Sequence, residues 1–337
     1  MRGLLSIVML LAAAAPARSS NLDVDIRAAQ QLFLEPSFLI RRVHAVEPKP
    51  PVVCSRLNFG EVSWPSSMTT DDRAALMLAL NISGSFEGAD GWANLSDNFD
   101  GQGVSMGLLN QNLGQGSLQP MLIRLRDGRP DVLAALVSPG HLSALLGMLA
   151  RWQVASAGEL ELGPLSSFDA TGEMGKLSAP SANRVSVDWA VVELYVAGKF
   201  DPIWKAELTA LASSPEYVSV QIEAAVRDHE RAVAYGARIA VRELRAYLML
   251  FDVNVQNGGL YAEDLADYDA FVHGSPRADS AARLEKLLAL RLRHVRTRFV
   301  ADVRTRKLAI IRGTGAVHGS PRNLPVEYCY DGLWPYR

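Results

Sequence analysis

The chain has 337 residues, 49% of them apolar and 21% charged, enough for a packed core and incompatible with global disorder. Lys and Arg total 34 against 36 Asp and Glu, a formal net charge of −2. No long basic block neutralises phosphates, so a nucleic-acid partner is not expected. There is no CxxC, no HExxH and no His/Cys cluster, so neither a metal nor another cofactor is expected.

Arg2 precedes an apolar run from Leu4 to Ala15, and Ala15-Pro16-Ala17 has the small-x-small pattern of a signal-peptidase site. Residues 1–17 therefore read as a signal peptide, and the mature protein as periplasmic or secreted. The run is shorter than the ~20 residues that span a bilayer, so no stable membrane insertion is expected after cleavage. Residues 18–55 read as an extension whose stretch Glu47-Pro48-Lys49-Pro50-Pro51 is too proline-rich for helix or central strand. A main domain over 56–319 and a tail over 320–337 follow. Cys54 and Cys329 can pair in an oxidising compartment and tie the two ends together; two free buried thiols are the alternative.

Thr69 or Thr70 caps a helix with Asp71 and Asp72 in its positive first turn, and Ala74, Leu76, Leu78, Ala79 and Ile82 supply apolar positions up to an end near Gly84. Glu87 then lies just past that helix. Gly88 to Gly103 is dense in Gly, Asn and Asp and reads as a loop or short irregular hairpin. This segment holds two carboxylates in contrasting settings. Glu87, between Phe86 and Gly88, gains acid character from partial desolvation, and Asp100, in a polar loop, stays ionised. Such a pair suits cleavage of a sugar–sugar bond, with one group protonating the leaving oxygen and the other activating water. Asp90 and Asp97 compete for the second role, and the bland alternative is that acidic residues here form turns. Trp92 in the same loop offers a face for stacking on a sugar, with Gln102, Asn110, Asn112 and Gln115 as polar neighbours for its hydroxyls.

Downstream, Pro130–Val137, His141–Trp152, Trp189–Leu211 and Pro215–Phe251 place apolar residues at helical spacing, the last with a break around Tyr235-Gly236. Trp189 and Trp204 belong to the core on this spacing. Glu243–Val255 ends at Asn257-Gly258-Gly259, which is C-cap chemistry. Ser280–Ile311 reads as one long helix stopped by Gly313-Thr314-Gly315. Its Arg-rich run Arg291–Lys307 reads as a solvated face. Gln256 either faces the cleft or satisfies backbone groups where its helix ends, and His318 reads as a packed core histidine. The fold class is mainly α, with at most a small β element near the glycine-rich loop.

Asp100-Gly101-Gln102-Gly103-Val104-Ser105-Met106-Gly107 resembles the D-G-x-G-x-[ST]-x-G element of the family 46 chitosanases, members of the lysozyme-like glycosidase superfamily. Phe251-Asp252-Val253-Asn254-Val255-Gln256-Asn257-Gly258-Gly259 resembles the FD-x-x-VQNG element of a set of bacterial lysozyme-like proteins. The stretch from Arg306-Lys307 to Gly313-Thr314-Gly315-Ala316-Val317-His318-Gly319 resembles that set's C-terminal G-T-G-x-V-H-G. The resemblance implies a lysozyme-like α+β fold with a long-helix core, Glu87 as general acid, Asp100 as general base and Ser105 as holder of the attacking water. It also implies a polysaccharide substrate, peptidoglycan or chitosan.

Peptidoglycan is the preferred expectation, because an exported bacterial protein meets the wall first and a near-neutral chain lacks the acidity suited to a polycation. The same residues leave two alternatives open: a lytic-transglycosylase path through Glu87 alone, and a non-catalytic or weakly active wall-binding module. The second is motivated by Leu109-Asn110-Gln111-Asn112 standing where the bacterial set carries L-Q-W-N.

Overall fold

The computed structural model describes residues 53–161 and 181–336. The expected signal peptide and nearly all of the extension lie outside the described residues.

Helix α1 (Thr70–Glu87) starts from a capping box in which the Thr69 hydroxyl accepts from the Asp72 amide and the Asp72 carboxylate accepts from the Thr69 amide. It does not stop at Gly84. That glycine lies within the helix, and Leu108 packs where a Cβ would stand, 2.3 Å from its Cδ1, so no larger residue fits. The extra turn places Glu87 inside the helix, at its C-terminal end. The glycine-rich stretch folds as an irregular meander of two-residue strands, β1 (Leu95–Ser96), β2 (Ser105–Met106) and β3 (Gln111–Asn112), antiparallel in the order β1-β2-β3. Leu95 pairs with Met106 and Ser96 with Ser105, while Ser105 also pairs with Asn112.

The chain continues through α2 (Leu118–Gly128), α3 (Pro130–Leu136), α4 (Pro139–Glu161) and α5 (Ser181–Glu193). A hairpin of β4 (Tyr195–Val196) and β5 (Lys199–Phe200) leads to α6 (Pro202–Ser213), α7 (Pro215–Ile239) and α8 (Leu244–Asn257). Then come α9 (Ala262–Gly274), α10 (Ser280–Arg291), α11 (Thr297–Arg312), a hairpin of β6 (Thr314–Val317) and β7 (Ser320–Asn323), and α12 (Leu324–Tyr328). The fold is mainly α with small β elements.

Three expected helices are divided. Trp189–Leu211 is broken by the β4–β5 hairpin, whose Ala197 and Gly198 both have positive φ. Pro215–Phe251 breaks at Ala240, a left-handed C-cap, whereas Gly236 stays inside α7. Ser280–Ile311 is interrupted by a 3₁₀ turn at Leu292–His294 and an extended Val295. There Arg291 turns inward to donate to the Asn257 and Gly259 carbonyls.

Two apolar cores share α7. Val218, Ile222 and Ala225 join one built on Leu76, Ala79, Leu80 and Phe86 of α1 and Leu248 to Phe251 of α8. Tyr217 joins the other, with Val104, Met106, Leu113, Leu122, Leu149, Trp189 and Trp204. Between them the Gln221 side chain accepts from the Leu108 amide (2.8 Å) and donates to the Ala212 carbonyl (2.9 Å). The meander is thereby fixed to the central helix.

Residues 320–336 are not a tail. Glu243 bridges to Pro335, and the Tyr336 hydroxyl donates to Asp72 Oδ1 at 2.9 Å, closing the end of the domain onto the start of α1. Cys54 and Cys329 are disulfide-bonded across a sequence separation of 275, so of the two sequence alternatives pairing is the one realised. Removing a native crosslink over a long loop typically costs about 2–4 kcal/mol through the unfolded state. A Cys54→Ser/Cys329→Ser chain is expected to show that loss in urea unfolding, and added reductant should lower wild-type stability to match.

Candidate active site

Glu87 leaves the last turn of α1 with its side chain about one-fifth exposed. Its Oε1 accepts from Arg306 Nη1 at 2.6 Å, and Asn110 Nδ2 lies 3.3 Å from both Oε2 and the Glu87 carbonyl. Beside the partial desolvation expected from the sequence, the setting therefore holds an ion pair at the edge of the core. Asn110 adopts φ 51°, a conformation asparagine tolerates better than most residues, and its Oδ1 accepts from the buried Asn94 at 2.7 Å. The departure from L-Q-W-N thus supplies a side chain that touches Glu87.

Behind Glu87 lies a charged cluster. Arg306 is fully buried and donates Nε and Nη2 to Asp252 at 2.6–3.0 Å, while Lys307 Nζ reaches Asp252 Oδ2 at 2.7 Å. Two carboxylates and two cations balance. Burial alone would raise the Asp252 carboxyl, but Arg306 and Lys307 outweigh it and hold the group well below the usual carboxylate range. Burial pushes Lys307 down to about 8, against the pull of Asp252 and helped by the neighbouring Arg306 charge. Lys307 also donates to Gln256 Oε1, Gln256 Nε2 donates to Asp302 Oδ2 (3.0 Å), and Asp302 Oδ1 meets His318 Nε2 (2.9 Å).

Two of the three sequence elements thus meet in one polar network with Glu87 and Asn110, the second through Asp252 and Gln256 and the third through Arg306, Lys307 and His318. Gln256 belongs to this network rather than capping its helix end. His318 is not a core residue; it is more than half exposed and has φ 50°. The solvated-face reading of the Arg-rich run fails at Arg291, Arg306 and Lys307, which are buried.

Lys307 gives a pH signature. Its folded value lies below the ordinary 10.5, so between about pH 8 and 10.5 the unfolded chain binds the extra proton and stability rises with pH. The wild type is expected to gain roughly 2–3 kcal/mol over Lys307→Met between pH 7 and 10 in urea unfolding, at about 1.4 kcal/mol per pKa unit.

Asp100 sits in the β1–β2 loop, where its Oδ1 accepts from the Gln102 amide at 3.1 Å. The loop is tied by Asn98 Oδ1 accepting from the Gly103 amide (2.7 Å) and by the Tyr195 hydroxyl donating to the Gly103 carbonyl (2.8 Å). Burial first, then the nearby Asp97 and Asp100 charges, push Tyr195 up to about 12. Asn94, bonded to Asn110, precedes β1 and the Asp100 loop follows it, with two residues of strand, ~7 Å at ~3.3 Å per residue, between them. Ser105 is buried in β2, five positions after Asp100. Phe99, beside Asp100, is 77% exposed.

Of the remaining polar candidates, Asn112 and Gln102 bind or cover the backbone of the meander. Asn112 Oδ1 accepts from the Gln115 amide at 2.8 Å, the Gln102 side chain packs over Gly114, and Gln115 is exposed. Trp92 is not a surface residue of the loop. It is buried, its Nε1 donates to the Asn58 carbonyl at 3.2 Å, and Phe59 meets its ring edge-on at 5.5 Å. Asp252, Arg306, Lys307 and Asp302 had no assigned role in the sequence reading, although the first three lie in the quoted elements. Among the described residues no group of His, Cys, Asp or Glu could hold a metal ion.

No family model matches the chain, and no curated protein matches it. Among solved structures it is similar to the native chitosanase of Bacillus subtilis MY002, at 13% identity and a TM-score of 0.43, over 73% of this chain and 88% of that one. It is also similar to the GH46 chitosanase of Gynuella sunshinyii in complex with chitotetraose, at 17% identity and a TM-score of 0.43, over 73% of this chain and 87% of that one.

Proposed function

We propose that the chain is an exported glycoside hydrolase that cleaves β-1,4 bonds of an amino-sugar polymer, peptidoglycan in preference to chitosan. The placement of Glu87 carries this reading. A part-exposed carboxyl group ends a buried helix, is gripped on one oxygen by Arg306 of a buried ionic cluster, and is separated by a short strand from a second carboxylate in a tightly bonded loop. Arg306 occupies Oε1, leaving Oε2, with only the longer Asn110 contact, to carry the proton to the leaving oxygen. Asp100, with Ser105 on the strand that leaves its loop, orients and activates water on the opposite side of the sugar. A gap of roughly 6.5–9.5 Å between the carboxyl groups is what inversion requires. The near-neutral chain, at net charge −2, favours a substrate less cationic than chitosan.

The test is to incubate the purified chain with peptidoglycan and with chitosan and to read product stereochemistry by NMR. Inverted anomers support the two-carboxylate mechanism, and a 1,6-anhydro product supports the transglycosylase path through Glu87 alone. Binding to either polymer without turnover supports the binding module. Absence of turnover on both polymers, with or without binding, overturns the hydrolase proposal.

A further inference from the structure

Helix α1 ends with Phe86 and Glu87 and has no basic residue of its own in its last turn. Its C-terminal carbonyls present partial negative charge, which cations stabilise. The positive charge comes from elsewhere: two guanidiniums lie over the buried Phe86 ring, Arg306 at 4.9 Å and Arg322 at 5.1 Å from its centroid. Arg306 continues to Glu87. Arg322 Nη2 donates to the Ser85 hydroxyl at 3.0 Å and to the Tyr328 hydroxyl at 3.2 Å, and the Ser85 hydroxyl in turn donates to the Ile82 carbonyl at 2.7 Å. Arg322 therefore grips the backbone turn and the ring immediately before Glu87.

Arg322 is itself fixed. Glu327 accepts from its Nε at 2.9 and 3.1 Å, lies 2.8 Å from its Nη2 as an ion pair, and also accepts from the Asn323 amide at 2.7 Å. On the hairpin Arg322 pairs with Gly315, over which Ala309 of α11 packs so closely that an added Cβ would lie 3.1 Å from it. The hairpin thus moves with the helix that carries Arg306. Its other end leads into α12 and to Cys329, which is crosslinked to Cys54. Asp252 compensates Arg306 and Glu327 compensates Arg322, so two like charges share one ring without a net excess.

We propose that Arg322 is a positioning residue for Glu87. It pins the last turn of α1 and holds the Phe86 ring so that Arg306 meets Oε1. The proposal rests on the catalytic reading of Glu87. Its test is Arg322→Ala and Arg322→Lys in the full chain, with kcat and KM measured on the polymer that the wild type turns over. Arg322→Ala is expected to lower kcat about tenfold with KM within twofold, and Arg322→Lys to recover part of the loss. In a Phe86→Leu background Arg322→Ala should cost less than twofold more, because both changes act through one ring.

An unchanged kcat, a loss accounted for by a smaller folded fraction, or full additivity with Phe86→Leu would overturn the proposal. NMR of the Arg306 guanidinium gives a readout that needs no turnover: its slowly exchanging N–H signals should broaden in Arg322→Ala. Unchanged signals overturn the positioning role whatever the activity. Broadened signals in a chain whose wild type is inactive keep the positioning role and reject the catalytic reading.

Discussion

Glu87→Gln is expected to lower hydrolysis by about 10²–10⁴-fold, the usual contribution of a positioned acid. The substitution keeps the size of the side chain and an oxygen for Arg306 Nη1 but removes the transferable proton. Folding should be nearly preserved, because the side chain is part-exposed and Arg306 retains its bidentate partner Asp252. Initial rates on the preferred polymer, beside urea unfolding of both proteins, check this. A variant as active as the wild type removes Glu87 from the chemistry.

Asp252→Ala carries the largest expected loss of stability. Asp252 is fully buried and bonds two buried cations, Arg306 and Lys307. Removing one member of a buried ion pair typically costs about 3–5 kcal/mol, because the partner keeps its desolvation penalty without compensation. The pH dependence has a definite sign. The folded Asp252 carboxyl lies below its unfolded value of about 3.9, so its contribution is present in full above about pH 4 and is lost as the pH falls further. The stability gap between wild type and Asp252→Ala should therefore be wide at pH 7 and shrink in acid, as read by urea midpoints from pH 7 to 3. A gap that stays constant would mean the carboxylate gains nothing from its cations.

Much of the site's scaffold was legible because it is locally encoded. The Thr69 cap, the turn chemistry of the glycine-rich stretch and the Asn257-Gly258 helix end are short-range patterns, and all three appear where their residues demand. The helix breaks were less legible because tertiary partners impose them. Nothing in Leu292-Arg293-His294 forbids helix, and the turn occurs where Arg291 is drawn to the carbonyls ending α8. Trp92 was misplaced because loops are expected at the surface, whereas Asn58 and Phe59, more than thirty residues earlier, cover it. Arg306 and Lys307 looked like part of a solvated face since their partner Asp252 lies more than fifty residues away. A buried ion pair leaves no periodic trace in either segment. Asp100 differs again: its loop was readable from composition, but its distance from Glu87 depends on a two-residue ladder too short to carry a strand pattern.

The bond from Tyr336 to Asp72 spans 264 residues and ends on the aspartate that closes the capping box of α1. A chain synthesised or threaded through a channel from its N-terminus delivers Asp72 long before Tyr336. The tie at the far end of the helix bearing Glu87 therefore forms only after nearly all of the described domain has been made.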